Sequence, residues 1–234
     1  MKFDIITIFP KIFDSYFNES IIKRAKKSGK IKINIINLRD FSADKKYRKI
    51  DDSPYGGGAG MVLMAEPILK AVSKIVGKKK DPKTKIVVLS AKGKQFNQKI
   101  AYDWSKKLEK IIFVSSRYEG VDERVIKALH AEELSIGPYV LTDGDAAAMV
   151  VISAIIRLIP GVIKLESLKE ESHWNALLKK EKKSAAQDKL EYPHYTRPEV
   201  FKWLGKKYAV PRVLLSGDHK KIENWRRNHQ KNSL

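Results

Sequence analysis

KIVVLS, residues 85–90, and IIFVS, residues 111–115, are short apolar runs rich in β-branched side chains, and NQKIAYDWSKKL, residues 97–108, lies between them. Runs of this length with this composition read as buried strands, and the intervening segment reads as a helix. The same alternation extends outward in both directions. Phe3–Phe9 is another such strand, ended by Pro10, and Lys11–Ser28 is expected to be one helix stopped by Gly29. Ile31–Leu38 alternates in the strand manner, Arg39–Ser53 is polar and charged like a loop, and Ala65–Val76 reads as a helix followed by a basic turn. Val121–Ala131 is expected to be helical, Glu133–Leu141 extended around Gly137 and Pro138, and Ala146–Ile159 helical up to Pro160-Gly161. Short apolar strands alternating with helices specify an α/β domain with a mainly parallel sheet over residues 1–162. Beyond it, 163–191 is charged and weakly periodic, as a flexible linker is. The last segment, 192–234, is expected to be a small α-helical domain, with helices at Pro198–Lys206 and Asp218–Lys231.

Among 234 residues, 47 are basic and 27 acidic, a formal net charge of +20. A field of that sign attracts polyanions, and nucleic acid is the commonest of them; a generally lysine-rich composition is the plainer explanation. There is no cysteine, which removes disulfides, thiolate-bound zinc and cysteine nucleophiles. The five histidines have no metal-ligand spacing, so no metal ligands are assigned from sequence. The run Phe3–Phe9 carries Asp4 and is too short for a signal peptide, and Ala146–Ile159 falls short of the ~20 residues that span a bilayer. A cytoplasmic protein without a membrane partner is expected.

Four motifs carry chemistry. The first is Pro54-Tyr55-Gly56-Gly57-Gly58-Ala59-Gly60-Met61. Its glycines suit close approach to a ligand, as they also suit a flexible surface loop; neither a P-loop nor a dinucleotide fingerprint matches, and no strand is expected to lead directly into it. The second, Ser116–Arg124 (SRYEGVDER), follows the strand 111–115, at the strand end where open α/β sheets bind ligands. Asp122 and Glu123 equally suit a plain helix N-terminus. The third, Ser135–Asp145 (SIGPYVLTDGD), leads into a helix with only Ser153 and Arg157 as polar side chains. A helix apolar all round is expected to be buried all round, which suggests a subunit interface, and Arg157 there is either an interface ion pair or functional. The fourth, Tyr192–Glu199 (YPHYTRPE), interleaves aromatics with His194 and Arg197. With Arg226 and Arg227 it suits stacking on unpaired bases and contact with phosphates, although a solvated helix reads the same way.

Taken together, DIITIFP, DDSPYGGGAGM, RYEGVDERV, SIGPYVLTDGD, RLIPGV and YPHYTRPE…VLLSGDH…WR, in that order along nearly the whole chain, resemble the bacterial tRNA (guanine-N1)-methyltransferase family of the SPOUT class. The resemblance implies a SPOUT-type sheet with a deep trefoil knot, a homodimer whose active sites draw on both chains, and a C-terminal domain that grips the tRNA anticodon stem-loop rather than DNA. It implies an S-adenosylmethionine pocket of Leu89, Ser90, Ala91, Ser116, Tyr118, Glu119, Gly120, Ile136, Gly137, Tyr139, Leu141 and Gly144. RNA contacts are expected at Tyr55, Gly56, Gly57, Gly58, His194, Tyr195, Arg197, Arg226 and Arg227. Arg157 matches the family's functional arginine, and Glu171, in EESHW, stands where the family has its catalytic aspartate; an alignment without gaps from Gly161 puts Ser172 there instead. Ser116 and Asp143 replace glycines typical of the cofactor loops. Some members depend on Mg²⁺, for which Glu119 and Glu171 are the candidate ligands here.

The implied reaction is methyl transfer to N1 of the guanosine next to the anticodon, with Glu171 as general base and Arg157 opposing charge on O6. Two other readings compete with it: a ribose 2′-O-methyltransferase of the same superfamily, and an RNA-binding relative without activity.

Overall fold

A computed structural model of the chain describes residues 1–77, 81–164 and 192–230, and the chain divides into two compact units, Met1–Lys164 and Leu165–Leu234. The first unit is built on a five-stranded sheet of β1 (Lys2–Thr7), β2 (Lys32–Asn37), β5 (Thr84–Gln95), β6 (Lys110–Ser115) and β7 (Glu132–Ser135), in the order β2-β1-β6-β5-β7. Every pair is parallel, so each connection crosses over outside the sheet. The crossovers carry the helices α1 (Asp14–Phe17), α2 (Ser20–Lys27), α3 (Ala65–Val76), α4 (Gln98–Lys107) and α5 (Glu123–Leu129), and α6 (Gly144–Ile156) follows β7.

The strands read as near-continuous apolar runs because both faces of the sheet are covered. Ile6, Ile86, Val88, Ile112 and Val114 share one buried cluster with Ile68, Ala71 and Val72 of α3 and Val125 of α5. Their alternate neighbours Ile5, Val87 and Phe113 are equally buried. Helix α6 packs on β1, β5 and β6, and α4 packs on α6. Start signals are legible at the caps: the Asn97 side chain accepts from the Ile100 amide at 3.0 Å, and Asp143 accepts from those of Asp145 and Ala146 at 2.9 and 3.1 Å.

Several expectations need correction. The helix expected over Lys11–Ser28 is broken into a 3₁₀ turn, Pro10–Phe13, and the two helices α1 and α2, with Ser20 at φ 50° between them. Two-residue strands, β3 (Asp51–Asp52) and β4 (Val62–Leu63), pair across the glycine-rich loop, so a strand does lead into it. Helix α6 is not buried all round: Val150 is 48 % exposed, and so are Ile12 of the 3₁₀ turn packed against α6, Phe9 just before that turn and Tyr16 of α1.

Strand β5 runs five residues past the expected Ser90. Leu134 of β7 is paired both with Leu89 and with Lys94, so Ser90–Gly93 bulges out of register. A Cβ on Gly93 would fall inside van der Waals contact of the Glu133–Leu134 backbone, where nothing can swing aside. Gly93→Ala is therefore expected to destabilise the fold by about 3 kcal/mol. Urea denaturation reads this directly, and an unmoved midpoint would mean that the two backbones are not so closely apposed.

The second unit contains, among its described residues, a hairpin of β8 (Val200–Trp203) and β9 (Lys206–Ala209) followed by α7 (Arg212–Leu215) and α8 (His219–Asn228). The helix expected over Pro198–Lys206 is thus a strand and a turn, and the unit is mixed rather than all-helical. Leu204 and Gly205 take φ 47° and 77°, the left-handed pair of a two-residue hairpin turn, which stops a helix there. The expected linker lies outside the described residues except for Ile163 and Lys164.

Candidate active site

The Val88–Lys92 stretch of β5, at its bulge, lies beside the ends of β6 and β7, and with the segments that leave those two strands it walls a cleft of about 320 Å³. Leu89, Ser90, Ala91, Ser116, Tyr118, Glu119, Gly120, Ile136, Tyr139, Leu141 and Gly144 all line it. Of the residues expected in the cofactor pocket, Gly137 alone is absent from the lining. It stands behind it: the Tyr139 ring lies where a Gly137 Cβ would be, and the Tyr139 hydroxyl donates to the Ile136 carbonyl at 3.3 Å. The floor is backbone against backbone, since a Cβ on Gly144 would sit 2.9 Å from the Ser116 nitrogen and 3.1 Å from the Ser115 Cα. The cleft also takes in residues to which the resemblance assigned no cofactor contact, notably Lys92, Arg117, Glu123, Glu133 and Asp143.

The side chains that replace expected glycines tie these segments together. The Ser116 hydroxyl donates to the Leu89 carbonyl, joining the end of β6 to β5 just before its bulge. Asp143 caps α6 and accepts from Arg117 Nη2 at 3.1 Å. Arg117 in turn lies over the Phe9 ring, 4.3 Å from its centre. At the outer wall the Lys92 ammonium stands 3.1 Å from Glu123 and 3.4 Å from Glu133, and the two carboxylates raise its pKa, Glu123 first.

Asp145 lies beneath the first turn of α6 and is fully buried. Arg117 Nη2 is 3.8 Å away, and neither carboxylate oxygen finds a well-placed hydrogen-bond donor among the described residues. Burial raises its pKa and Asp143 adds to the effect, against the opposing pull of the Ser115 and Thr7 hydroxyls and of Arg117. A carboxyl whose pKa is higher folded than unfolded favours folding while protonated, and that contribution fades as pH rises through the folded pKa. Asp145→Asn removes this dependence. The difference in unfolding free energy, variant minus parent, is expected to move in the variant's favour from pH 4 to pH 8. Denaturation at the two pH values measures it, and a difference moving the opposite way would mean that Asp145 is held as a stabilised anion.

The exit of the glycine-rich loop is stitched to the cleft. The Glu119 amide donates to the Met61 carbonyl at 3.1 Å, and the Leu63 amide to that of Gly120 at 3.0 Å. Gly60 leaves room for the Glu119 carboxylate, whose Oε1 lies 2.6 Å from where a Cβ would stand. Tyr55 is fully exposed at the tip, and Gly56, Gly57 and Gly58 have positive φ, so conformation rather than space calls for glycine there. None of these four lines the cleft.

Arg157 lies elsewhere. It lines a separate cavity of about 330 Å³ with Tyr16, Glu19, Ser153 and Ile163, at the far end of α6 from Gly144. With 13 residues in α6 and a rise of 1.5 Å each, those ends are about 20 Å apart, beyond the reach of one guanidinium. Glu171 lies outside the described residues. Among the described residues no group of three His, Cys, Asp or Glu is placed to hold a metal ion, and no helix is long and apolar enough to cross a membrane.

In the second unit, Tyr192 and His194 are in ring contact at 4.7 Å, Arg226 lies over Tyr192 at 4.8 Å, and Tyr195 meets Trp225 edge-on at 6.1 Å. Three of the expected RNA-contacting positions, His194, Tyr195 and Arg226, therefore share one aromatic and basic cluster with Tyr192 and with Trp225 of α8. Arg227 pairs with Glu223 on the exposed side of that helix, an arrangement worth little in water.

An all-parallel sheet with a backbone-walled cleft at its strand ends defines an α/β enzyme of the kind that holds a small ligand there. A sequence profile of the family described as tRNA (Guanine-1)-methyltransferase TrmD matches residues 1–233. The tRNA (guanine-N(1)-)-methyltransferase of Thermomicrobium roseum is 48% identical over 227 residues, 97% of this chain and 78% of the relative. Those of Carboxydothermus hydrogenoformans and Clostridioides difficile are 48% and 47% identical, over 97% of this chain and 81% and 91% of theirs. The chain belongs to the TrmD family of tRNA (guanine-N1)-methyltransferases. It is an S-adenosylmethionine-dependent transferase of tRNA modification.

Proposed function

We propose that the protein methylates N1 of the guanosine at position 37 of tRNA, beside the anticodon, with S-adenosylmethionine held in the cleft between the β5 bulge and the ends of β6 and β7. The carrying observation is the cleft wall itself: bare backbone at Gly144 and Gly120, with the expected cofactor residues of three separate segments converging on it. Such a wall offers amide and carbonyl groups to a nucleoside and an amino acid moiety without side chains in the way. The close packing of Gly93 on β7 and the long segment from Ser135 to Asp143 support a knotted arrangement of these loops.

A homodimer belongs to the same reading. Arg157 is about 20 Å from its own chain's Gly144 along α6, and Val150, Phe9, Ile12 and Tyr16 leave an apolar surface beside that helix. A second copy packed there supplies its Arg157 to this chain's cleft.

S-adenosylmethionine, when bound, supplies an electrophilic methyl group, so the protein has no nucleophile to build. Guanine N1 carries a proton and attacks poorly until that proton leaves. Glu171 takes it. Negative charge then gathers on O6, and the Arg157 guanidinium of a second copy opposes it. The pair also reads the guanine edge, a donor at N1 and an acceptor at O6; adenine reverses both and leaves the two side chains unmatched. The second unit holds the anticodon stem-loop through Tyr195, Arg197 and Arg226.

Unmodified tRNA transcript, incubated with protein and cofactor and digested to nucleosides, is expected to yield 1-methylguanosine, lost when the guanosine beside the anticodon is changed. A 2′-O-methylated product without 1-methylguanosine overturns the reading. So does calorimetry that detects no S-adenosylmethionine binding, as an inactive relative would give.

A further inference from the structure

The hairpin β8–β9 carries features that its own folding does not call for. Its ten residues, Val200–Ala209, include Lys202, Lys206 and Lys207 and no acidic side chain. The register puts Phe201 opposite Tyr208 and Trp203 opposite Lys206 on one face, with Val200 opposite Ala209 and Lys202 opposite Lys207 on the other. Phe201 and Tyr208 are stacked, ring centres 5.3 Å apart and 15° from parallel, and remain 53 % and 46 % exposed. Trp203 is 63 % exposed and Leu204, at the tip, 85 %. Two lysines directly opposite each other repel and weaken a hairpin. A branched apolar residue at φ 47° is costly where asparagine or glycine would sit easily. Charge repulsion, apolar exposure and a strained tip thus coincide in one ten-residue ribbon, the pattern expected of a contact surface rather than of a spacer.

The composition selects the partner. Protein interfaces are enriched in aromatics but depleted in lysine at their centres. Aromatics interleaved with lysines suit unpaired nucleic acid, where bases stack on rings and phosphates meet ammonium groups. We propose that the β8–β9 hairpin is an RNA-binding finger of this protein. One unpaired base of the tRNA stacks on the Phe201–Trp203–Tyr208 face, and the adjoining backbone passes the Lys202–Lys207 face. The proposal rests on the tRNA reading and adds a contact separate from the Tyr192–Arg197 and α8 cluster.

The test uses the full-length protein, unmodified tRNA transcript and a series of NaCl concentrations. Trp203→Ala is expected to weaken tRNA binding about tenfold and to raise the KM for tRNA, with kcat at saturating tRNA and the Kd for S-adenosylmethionine unchanged. Trp203→Phe, which keeps a stacking ring, is expected to restore most of the affinity. The double variant Lys202→Ala/Lys207→Ala is expected to lower the slope of log K against log salt by about 1 to 2. These side chains are exposed, so the unfolding midpoint serves as the check that the unit is intact, and the lysine pair gives a second readout if Trp203→Ala shifts it. The hairpin proposal fails alone if the parent protein methylates tRNA while all three variants bind like it. It also fails if Trp203→Ala changes the sedimentation mass of the RNA-free protein, the signature of a protein contact. A parent protein that neither binds nor methylates tRNA overturns the functional reading, and the finger with it.

Discussion

Replacing Arg157 by alanine is expected to leave S-adenosylmethionine binding intact and to slow methyl transfer about a hundred- to a thousandfold. The two halves of this expectation come from one helix. Gly144 at the start of α6 forms part of the cleft floor, whereas Arg157 closes the other end and lines a different cavity. Removing the guanidinium therefore leaves the cleft of its own chain untouched and, on the proposed shared-site arrangement, strips a cation from the site of a second copy. The loss should fall on kcat, because charge gathers on O6 only as N1 gives up its proton. A lysine in its place keeps the charge but not the planar fork, and should recover part of the rate. The shared-site arrangement has a sharper test. A Gly144→Val protein is expected to lose cofactor binding, because the new side chain meets the Ser115–Ser116 backbone. Two inactive proteins, Arg157→Ala and Gly144→Val, mixed and allowed to exchange subunits, should recover roughly a quarter of the parent activity, since half of the dimers carry one intact site. A mixture that stays inactive although exchange is demonstrated would place Arg157 in its own chain's site or outside catalysis.

Glu171→Gln is expected to lower kcat by about two to four orders of magnitude. The amide preserves size and an acceptor oxygen, so tRNA and cofactor affinities should change little; what it lacks is the capacity to take a proton from N1. Single-turnover methylation with saturating tRNA isolates the step. Normal turnover by this variant, combined with failure of Glu119→Gln, would move the base to the carboxylate that packs on Gly60 in the cleft wall.

The sheet was legible because burial on both faces leaves a plain imprint. Lys85–Ser90 and Ile111–Ser115 are apolar at every second position and at those between, as strands must be when α3 and α5 cover one side and α6 the other. Helices α3 and α4 were legible from their periodicity and from the end signals Gly77 and Asn97. The C-terminal hairpin was not. Both of its faces are exposed, so no contrast between buried and solvent positions marks a period of two, and lysine on both strands blurs it further. The signal that could have found it is Leu204-Gly205 between runs containing Phe201, Trp203 and Tyr208. The break at Ser20 has no glycine or proline to announce it. At the site, all but Gly137 of the cofactor residues matched by motif line the cleft, whereas Arg117 and Asp145, although inside the same motifs, carried no assigned role. Their importance lies in a tertiary fact, an arginine reaching across to the first turn of a helix that begins 27 residues later, and spacing along the chain does not encode it.

The cleft also sets a timetable for synthesis. Its walls come from the bulge of β5 and the segments that follow β6 and β7, and its floor is completed only when Gly144 meets the Ser115–Ser116 backbone. A nascent chain that has not yet released this residue from the ribosome has strands but no finished cleft. Because every pairing in the sheet is parallel and non-local, assembly is slow relative to helical domains of similar size. If the cleft takes S-adenosylmethionine as proposed, the cofactor meets the polypeptide late, as a ligand that locks a finished sheet rather than one that guides its formation, and added cofactor is expected to slow unfolding more than it speeds refolding.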